Sequence, residues 1–180
     1  MTFPAAVRVG CNHHSINTFH QEYRVIPEDI GKAYNQISHI WNSEEFDMSN
    51  GILQRKKAIS FVKNRGNALD VGCGCTGRII DLLLDEGFTP SGLDVSDEMI
   101  RIAREKHPGV SFTKADICEY ELSEKYDFVT AWDSIWHIPL AEQKSVITKI
   151  VDSLNVTGVF IFSFGGTDKA GSHTKEPLIN

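Results

Sequence analysis

From Pro27 onward the chain alternates between two apolar periods. Ile30, Ala33, Ile37, Ile40 and Trp41 recur at helical spacing behind Pro27-Glu28-Asp29, a proline-and-acid start that suits a first helical turn. Ile52, Leu53, Ile59 and Val62 continue the same period, so a second helix is expected from about Asn50 to Asn64, closed by Gly66. The pattern then shortens. Ala68 to Val71, Thr89 to Asp94, Val110 to Thr113, Asp127 to Trp132 and Val159 to Phe164 each read as a strand. Helical stretches lie between them. One runs from about Gly77 to Glu86 and is ended by Gly87. Another is capped by Ser96, with Asp97 and Glu98 in its first turn, and stops before Pro108. A longer one follows Pro139 and carries Val146, Ile147, Ile150, Val151 and Leu154 on one face. Such alternation predicts an α/β fold, a three-layer αβα sandwich with a mostly parallel sheet. Residues 1–26 show no period and are expected to form an irregular arm. Residues 27–66 read as an N-terminal helical cover, and residues 67–180 as the core domain.

Composition changes this picture little. The 180 residues suffice for one domain, and 41% hydrophobic with 23% charged residues is ordinary for a soluble globular chain. A formal charge of −6 leaves no electrostatic footprint for nucleic acid. No apolar run approaches the ~20 residues that span a membrane. Met1 to Arg24 lacks the basic cap and apolar stretch of a secretory signal, so a cytoplasmic setting is expected. Cys11, Cys73, Cys75 and Cys118 do not have zinc-knuckle spacing and read as small thiols in a reducing compartment. His13, His14 and His20 have no completing ligand cluster, and no metal is implied.

The chemistry concentrates in Asp70-Val71-Gly72-Cys73-Gly74-Cys75-Thr76-Gly77. A strand, a glycine loop and a helix in that order bring bare backbone close to a ligand at a helix N-terminus. Asp70 precedes the first glycine, where a phosphate would gain nothing from negative charge; it suits a ligand with a positive centre. Ligands of open parallel sheets bind beyond the carboxyl ends of the strands. Those ends supply, on one rim, the glycine loop, Asp94, Asp116 with Ile117, and Asp133 with Trp136 and His137. Asp94 is placed to accept from a ribose diol, and Asp116-Ile117 to receive an adenine amino group and cover its ring. Gly72, Gly74 and Gly77 also spell a dinucleotide fingerprint with Asp94 as its ribose acid, so a nicotinamide-dinucleotide domain stays open. That reading, however, needs neither Asp70 nor Asp116.

Five segments in order resemble the class I S-adenosylmethionine-dependent methyltransferases of the small-molecule type. They are Asp70-Val71-Gly72-Cys73-Gly74, Gly92 to Met99, Lys114-Ala115-Asp116-Ile117, Tyr126-Asp127-Phe128-Val129 through His137-Ile138-Pro139, and Leu154 to Val159. The resemblance implies a Rossmann-like sheet and S-adenosyl-L-methionine as cofactor. It implies that Asp70 faces the methionine end, while Gly72, Cys73 and Gly74 lie against the cofactor. Asp94 would hold the ribose, with Val95 and Met99 packing near the adenosine. Asp116 would take the adenine amino group, with Ile117 against the ring. Trp132 and Asp133 would border the methionine moiety and the acceptor, and Tyr34 on the helical cover would lie near the sulfonium. The reaction would be an in-line methyl transfer to an oxygen, nitrogen or carbon of a small-molecule acceptor, with His137 as the candidate base because an unperturbed imidazole titrates near neutrality. A domain that binds the cofactor without turnover is the alternative.

Two features depart from the resemblance. Thr76 stands where the loop pattern has its third glycine, with Gly77 next. The family sheet has seven strands, and Gly165 to Asn180 are too few for the last two. The chain is therefore expected to be C-terminally truncated, a fragment in preference to a shortened natural variant, and the apolar edge of strand five to self-associate, to be covered by the N-terminal arm or to limit solubility.

Overall fold

A computed structural model of the chain describes residues 26–163. Expectations for the N-terminal arm, for Cys11 and the early histidines, and for the chain beyond Ser163 fall outside the described residues. In order, the elements are α1 (Pro27–Trp41), α2 (Ile52–Ile59), β1 (Asn67–Val71), α3 (Arg78–Asp85), β2 (Thr89–Asp94), α4 (Asp97–Lys106), β3 (Ser111–Lys114), β4 (Tyr126–Ala131), a short 3-10 turn (Ile135–His137), α5 (Leu140–Asp152) and β5 (Leu154–Phe162).

The described strands pair in the order β3-β2-β1-β4-β5, all parallel. The chain moves outward from β1 to β3, then returns to place β4 on the other side of β1. This reversal opens a crevice at the carboxyl ends of β1 and β4, where ligands of such sheets bind. The period-2 alternation of strand side chains divides the core. Leu69, Val71, Val129 and Ala131 pack with Val146 and Ile150 of α5 on one face. Ala68 and Phe128 pack on the other face with Ile59, Val62 and the α3 residues Ile79, Leu82 and Leu83. Ile80 of α3 then meets Ile100 and Ala103 of α4, and Tyr34 and Trp41 of α1 pack against Met99 and Ile102. The result is the Rossmann-like α/β sandwich. No helix among the described residues is long and apolar enough to cross a membrane.

Two expected boundaries shift by more than two residues. The second helix is shorter than the Asn50 to Asn64 pattern because Arg65 donates to the carbonyls of Val62 at 2.7 Å and Ile59 at 3.3 Å, which lets the last turn end early and tucks Ile59 and Val62 into the core. Strand five starts at Leu154 instead of Val159. Leu154 pairs with Tyr126 and Val159 with Phe128, and the extra residues between them bulge, with Thr157 at φ 72°.

Candidate functional site

The crevice is a cavity of about 1030 Å³, counting its open mouth. Tyr34, Asp70, Gly72, Cys73, Gly74, Asp94, Val95, Met99, Asp116, Ile117, Trp132, Asp133 and His137 all line it. Of the rim side chains named from the sequence, Trp136 alone is not on the cavity wall; it lies behind His137.

The glycine loop forms the floor. Gly72 has φ 72°, and a Cβ there would run into the Ser134 side chain, so only glycine allows β1 and the segment after β4 to close together. The turn that lacks a glycine at Thr76 uses Gly77 instead, at φ 80°, to enter α3. Asp94 fastens the loop to β2. One carboxylate oxygen accepts from the Gly74 backbone at 2.9 Å and the other from Ser96 N at 2.9 Å. Burial raises the Asp94 pKa, and the backbone N–H groups of Ser96, Gly74 and Val95 oppose the rise. Asp116 is arranged likewise: Oδ1 accepts from Cys118 N at 2.8 Å, and the residue sits on the cavity wall beside Ile117.

At the opposite end lie two arginines that the motif reading missed. Asp70 and Thr130 are register neighbours on β1 and β4, on the sheet face that α2 covers. Arg55 of α2 reaches across them and donates from Nε to Thr130 Oγ1 at 2.9 Å. It is only 2% exposed, and its Nη1 has no hydrogen-bond partner. Its guanidinium lies 5.0 Å from the Trp132 ring centroid. Burial lowers the Arg55 pKa to about 10 against the pull of Asp70, and raises that of Asp70 to about 6 against Arg55 and Arg78. Arg78 lines the same end, 4.8 Å above the Phe46 ring, with its Nε unpartnered. Arg55 had a sequence signal. It falls between Ile52 and Ile59 on the buried stripe of its helix, where a charge is out of place unless it serves a site.

The roof is aromatic. Tyr34 Oη lies 2.9 Å from His137 Nε2, the two rings meet edge to face at 5.6 Å, and Trp136 stacks on His137 at 3.9 Å. Burial lowers the His137 pKa to about 4 and raises that of Tyr34. The near-neutral titration that made His137 a candidate base is therefore absent from this environment, and the imidazole is neutral at physiological pH. Asp133 takes φ 53° at the end of β4, donates from its backbone N to Ser163 Oγ at 2.7 Å, and accepts from Asn50 Nδ2 at 3.4 Å.

A family model described as a methyltransferase domain matches residues 68–158. A malonyl-[acyl-carrier protein] O-methyltransferase of Acetivibrio thermocellus is 38% identical over 149 residues, covering 76% of this chain and 51% of that protein. The crystal structure of the PH0226 protein from Pyrococcus horikoshii OT3 aligns with TM-score 0.58 at 32% identity over 82% of this chain and 63% of the other. CalS10 of Micromonospora echinaspora, an amino pentose methyltransferase solved with S-adenosylmethionine bound, shares the fold at TM-score 0.58 and 20% identity, over 83% of this chain and 58% of its own. The chain belongs to the methyltransferase-domain family. It spans about half the length of the curated relatives it matches.

Proposed function

We propose that the cavity binds S-adenosyl-L-methionine and presents its methyl group to a small acidic acceptor. The observation that carries this reading is the opposition of two ends. Asp94 and Asp116 are carboxylates where a ribose and an adenine need acceptors, while Arg55 holds an unpartnered, buried Nη1 at the other end beside Asp70. An amino-acid moiety, with one carboxylate and one ammonium, matches an arginine next to an aspartate. A nicotinamide dinucleotide would instead bring a pyrophosphate toward Asp70.

S-adenosylmethionine, when bound, supplies an electrophilic methyl on a sulfonium. The chain's own residues bind, orient and exclude water. Arg55 meets a carboxylate by charge-assisted hydrogen bonds, the strong kind. Tyr34, His137 and Trp132 wall the reacting region with rings, so that nucleophile and methyl are held close, an arrangement worth ~7–11 kcal/mol. His137, neutral and bonded to Tyr34, orients that wall, and its lowered pKa makes it a weak base. An ionised acceptor carboxylate needs none.

The acidic acceptor has two supports. The Acetivibrio relative is named for a malonyl acceptor, and Arg78 offers an unpartnered Nε at the same end of the cavity as Asp133. We further propose that the free edge of β5, paired among the described residues with β4 alone, takes up another strand, from this chain or a second copy. The test of function is transfer of labelled methyl from S-adenosylmethionine to malonyl-acyl carrier protein or a malonyl thioester. Labelled ester that disappears in R78M supports the reading. Tight cofactor binding with no transfer to any carboxylate would replace it with binding without turnover.

A further inference from the structure

One ammonium group on α5 holds the loop that follows β3. Lys149 Nζ donates to the carbonyls of Ile117 at 2.6 Å, Cys118 at 3.1 Å and Tyr120 at 2.9 Å. A lysine has three N–H donors, and all three are used. The acceptors belong to a single helical turn, in which Glu119 N and Tyr120 N both donate to the Asp116 carbonyl, at 3.1 and 2.8 Å. One isolated turn does not persist by itself, because nucleation fixes several residues for one hydrogen bond and leaves carbonyls unmet. A cation at its C-terminal end satisfies those carbonyls and meets the negative end of the turn dipole.

The same turn carries the cavity wall. Asp116 and Ile117 both line the cavity, and Ile117 is packed into the α5 side of the core. The Asp116 carboxylate is held to the turn through Cys118 N, so its direction follows the turn's. Ala115 N bonds Asp94 O at 2.9 Å and anchors the near end of the segment to β2, while Lys149 anchors the far end.

We propose that Lys149 is a positioning residue for base selectivity: it holds the Asp116–Tyr120 turn so that the Asp116 carboxylate faces the amino group of an adenine. The inference rests on the cofactor reading above and extends it to a residue outside the cavity.

Calorimetry with S-adenosylhomocysteine and S-inosylhomocysteine, which carries a carbonyl in place of the adenine amino group, tests it. The wild-type chain prefers the adenine ligand by at least ~10-fold, the effect of one charge-assisted hydrogen bond. K149M brings that ratio below about three-fold, and K149R, which keeps cationic donors, restores most of it. A second ratio, S-adenosylhomocysteine against its decarboxylated analogue, reads the Arg55 end and stays at the wild-type value in K149M. A general loosening of the fold would lower both ratios together, and that result overturns the proposal. So does a K149M chain that keeps its adenine preference. Equal binding of both bases by the wild type overturns it too, while leaving the cofactor reading standing. Failure of the wild type to bind either ligand sinks the cofactor reading and this inference with it. Should K149M not fold, K149Q, which retains two donors, carries the same readouts with the same outcomes.

Discussion

The Tyr34 hydroxyl and His137 Nε2 share a 2.9 Å hydrogen bond that ties α1 to the turn after β4. Neither element is part of the sheet, yet together they roof its crevice. The bond is sheltered, and that shelter sets the chemistry. Burial disfavours the charged forms of both partners, so His137 stays neutral and Tyr34 stays protonated.

The first prediction follows directly. An NMR titration of the imidazoles finds His137 neutral down to about pH 5, with its midpoint near 4. The pH profile of methyl transfer then shows no loss of rate that tracks this histidine near neutrality. A His137 midpoint at the ordinary imidazole value would restore its role as a base.

Asp70 and His137 make opposite contributions to the pH dependence of stability. The folded pKa of Asp70, about 6, is above its ordinary 3.8, so between those values the folded chain holds a proton that the unfolded chain has released. Stability from this group falls as pH rises through that interval. The folded pKa of His137, about 4, is below its ordinary 6.5, so the unfolded chain holds the extra proton and stability rises with pH. Urea denaturation from about pH 4 to 6 should therefore show variants at the two sites departing from the wild-type curve in opposite directions. Relative to the wild type, D70N should make stability climb with pH, and H137F should make it decline. Parallel curves for all three chains would contradict the assignment.

Asp94 serves the loop as well as the ligand. D94A removes the partner of Gly74 N and of Ser96 N, so it should lower the melting temperature and also weaken cofactor binding at least ~10-fold. D94N, which keeps one acceptor oxygen, should recover part of the stability and little of the affinity. Unchanged affinity in folded D94A would remove Asp94 from the ribose subsite.

A further prediction concerns the seat of α1. Asn35 Oδ1 accepts from Ser96 Oγ at 2.7 Å and from Glu98 N at 3.1 Å, while Ser96 Oγ accepts from Met99 N at 3.1 Å. The cover helix thus supplies part of the N-terminal cap of α4. N35A should cost about 1 kcal/mol, the usual value of a cap, and N35D should retain it. Gly31 brings the two even closer, since a Cβ there would lie 2.7 Å from the Val95 carbonyl. G31A should displace the cover and weaken cofactor binding. Wild-type stability in N35A, measured by thermal melts, would mean that α1 is seated by its apolar contacts alone.

Much of this was legible in the chain because the signals are local. The bounds of β2, the Ser96 cap and the glycine loop follow from periodicity and turn chemistry within a few residues. The carboxylates of the rim follow from strand ends, which the parallel order collects on one side. What was not legible depends on partners distant in sequence. The early end of α2 depends on Arg65 satisfying its carbonyls, and the bulge at Thr157 on the pairing of Leu154 with Tyr126. The motif at His137 gave its position, but its ionisation is set by burial against the pull of Asp133, in a roof that it shares with Tyr34, more than a hundred residues away. Arg55 was visible as a charge on an apolar stripe, yet only the register of Asp70 with Thr130 shows what it is for.

The central claim is that the crevice between β1 and β4 takes an adenosyl amino acid. Isothermal titration of the chain with S-adenosylhomocysteine, and separately with NAD, tests it most directly. The account predicts one S-adenosylhomocysteine bound per chain, at least ~10-fold weaker binding in R55M, and no heat from NAD up to about millimolar concentration. Saturable binding of NAD with none of S-adenosylhomocysteine would contradict it.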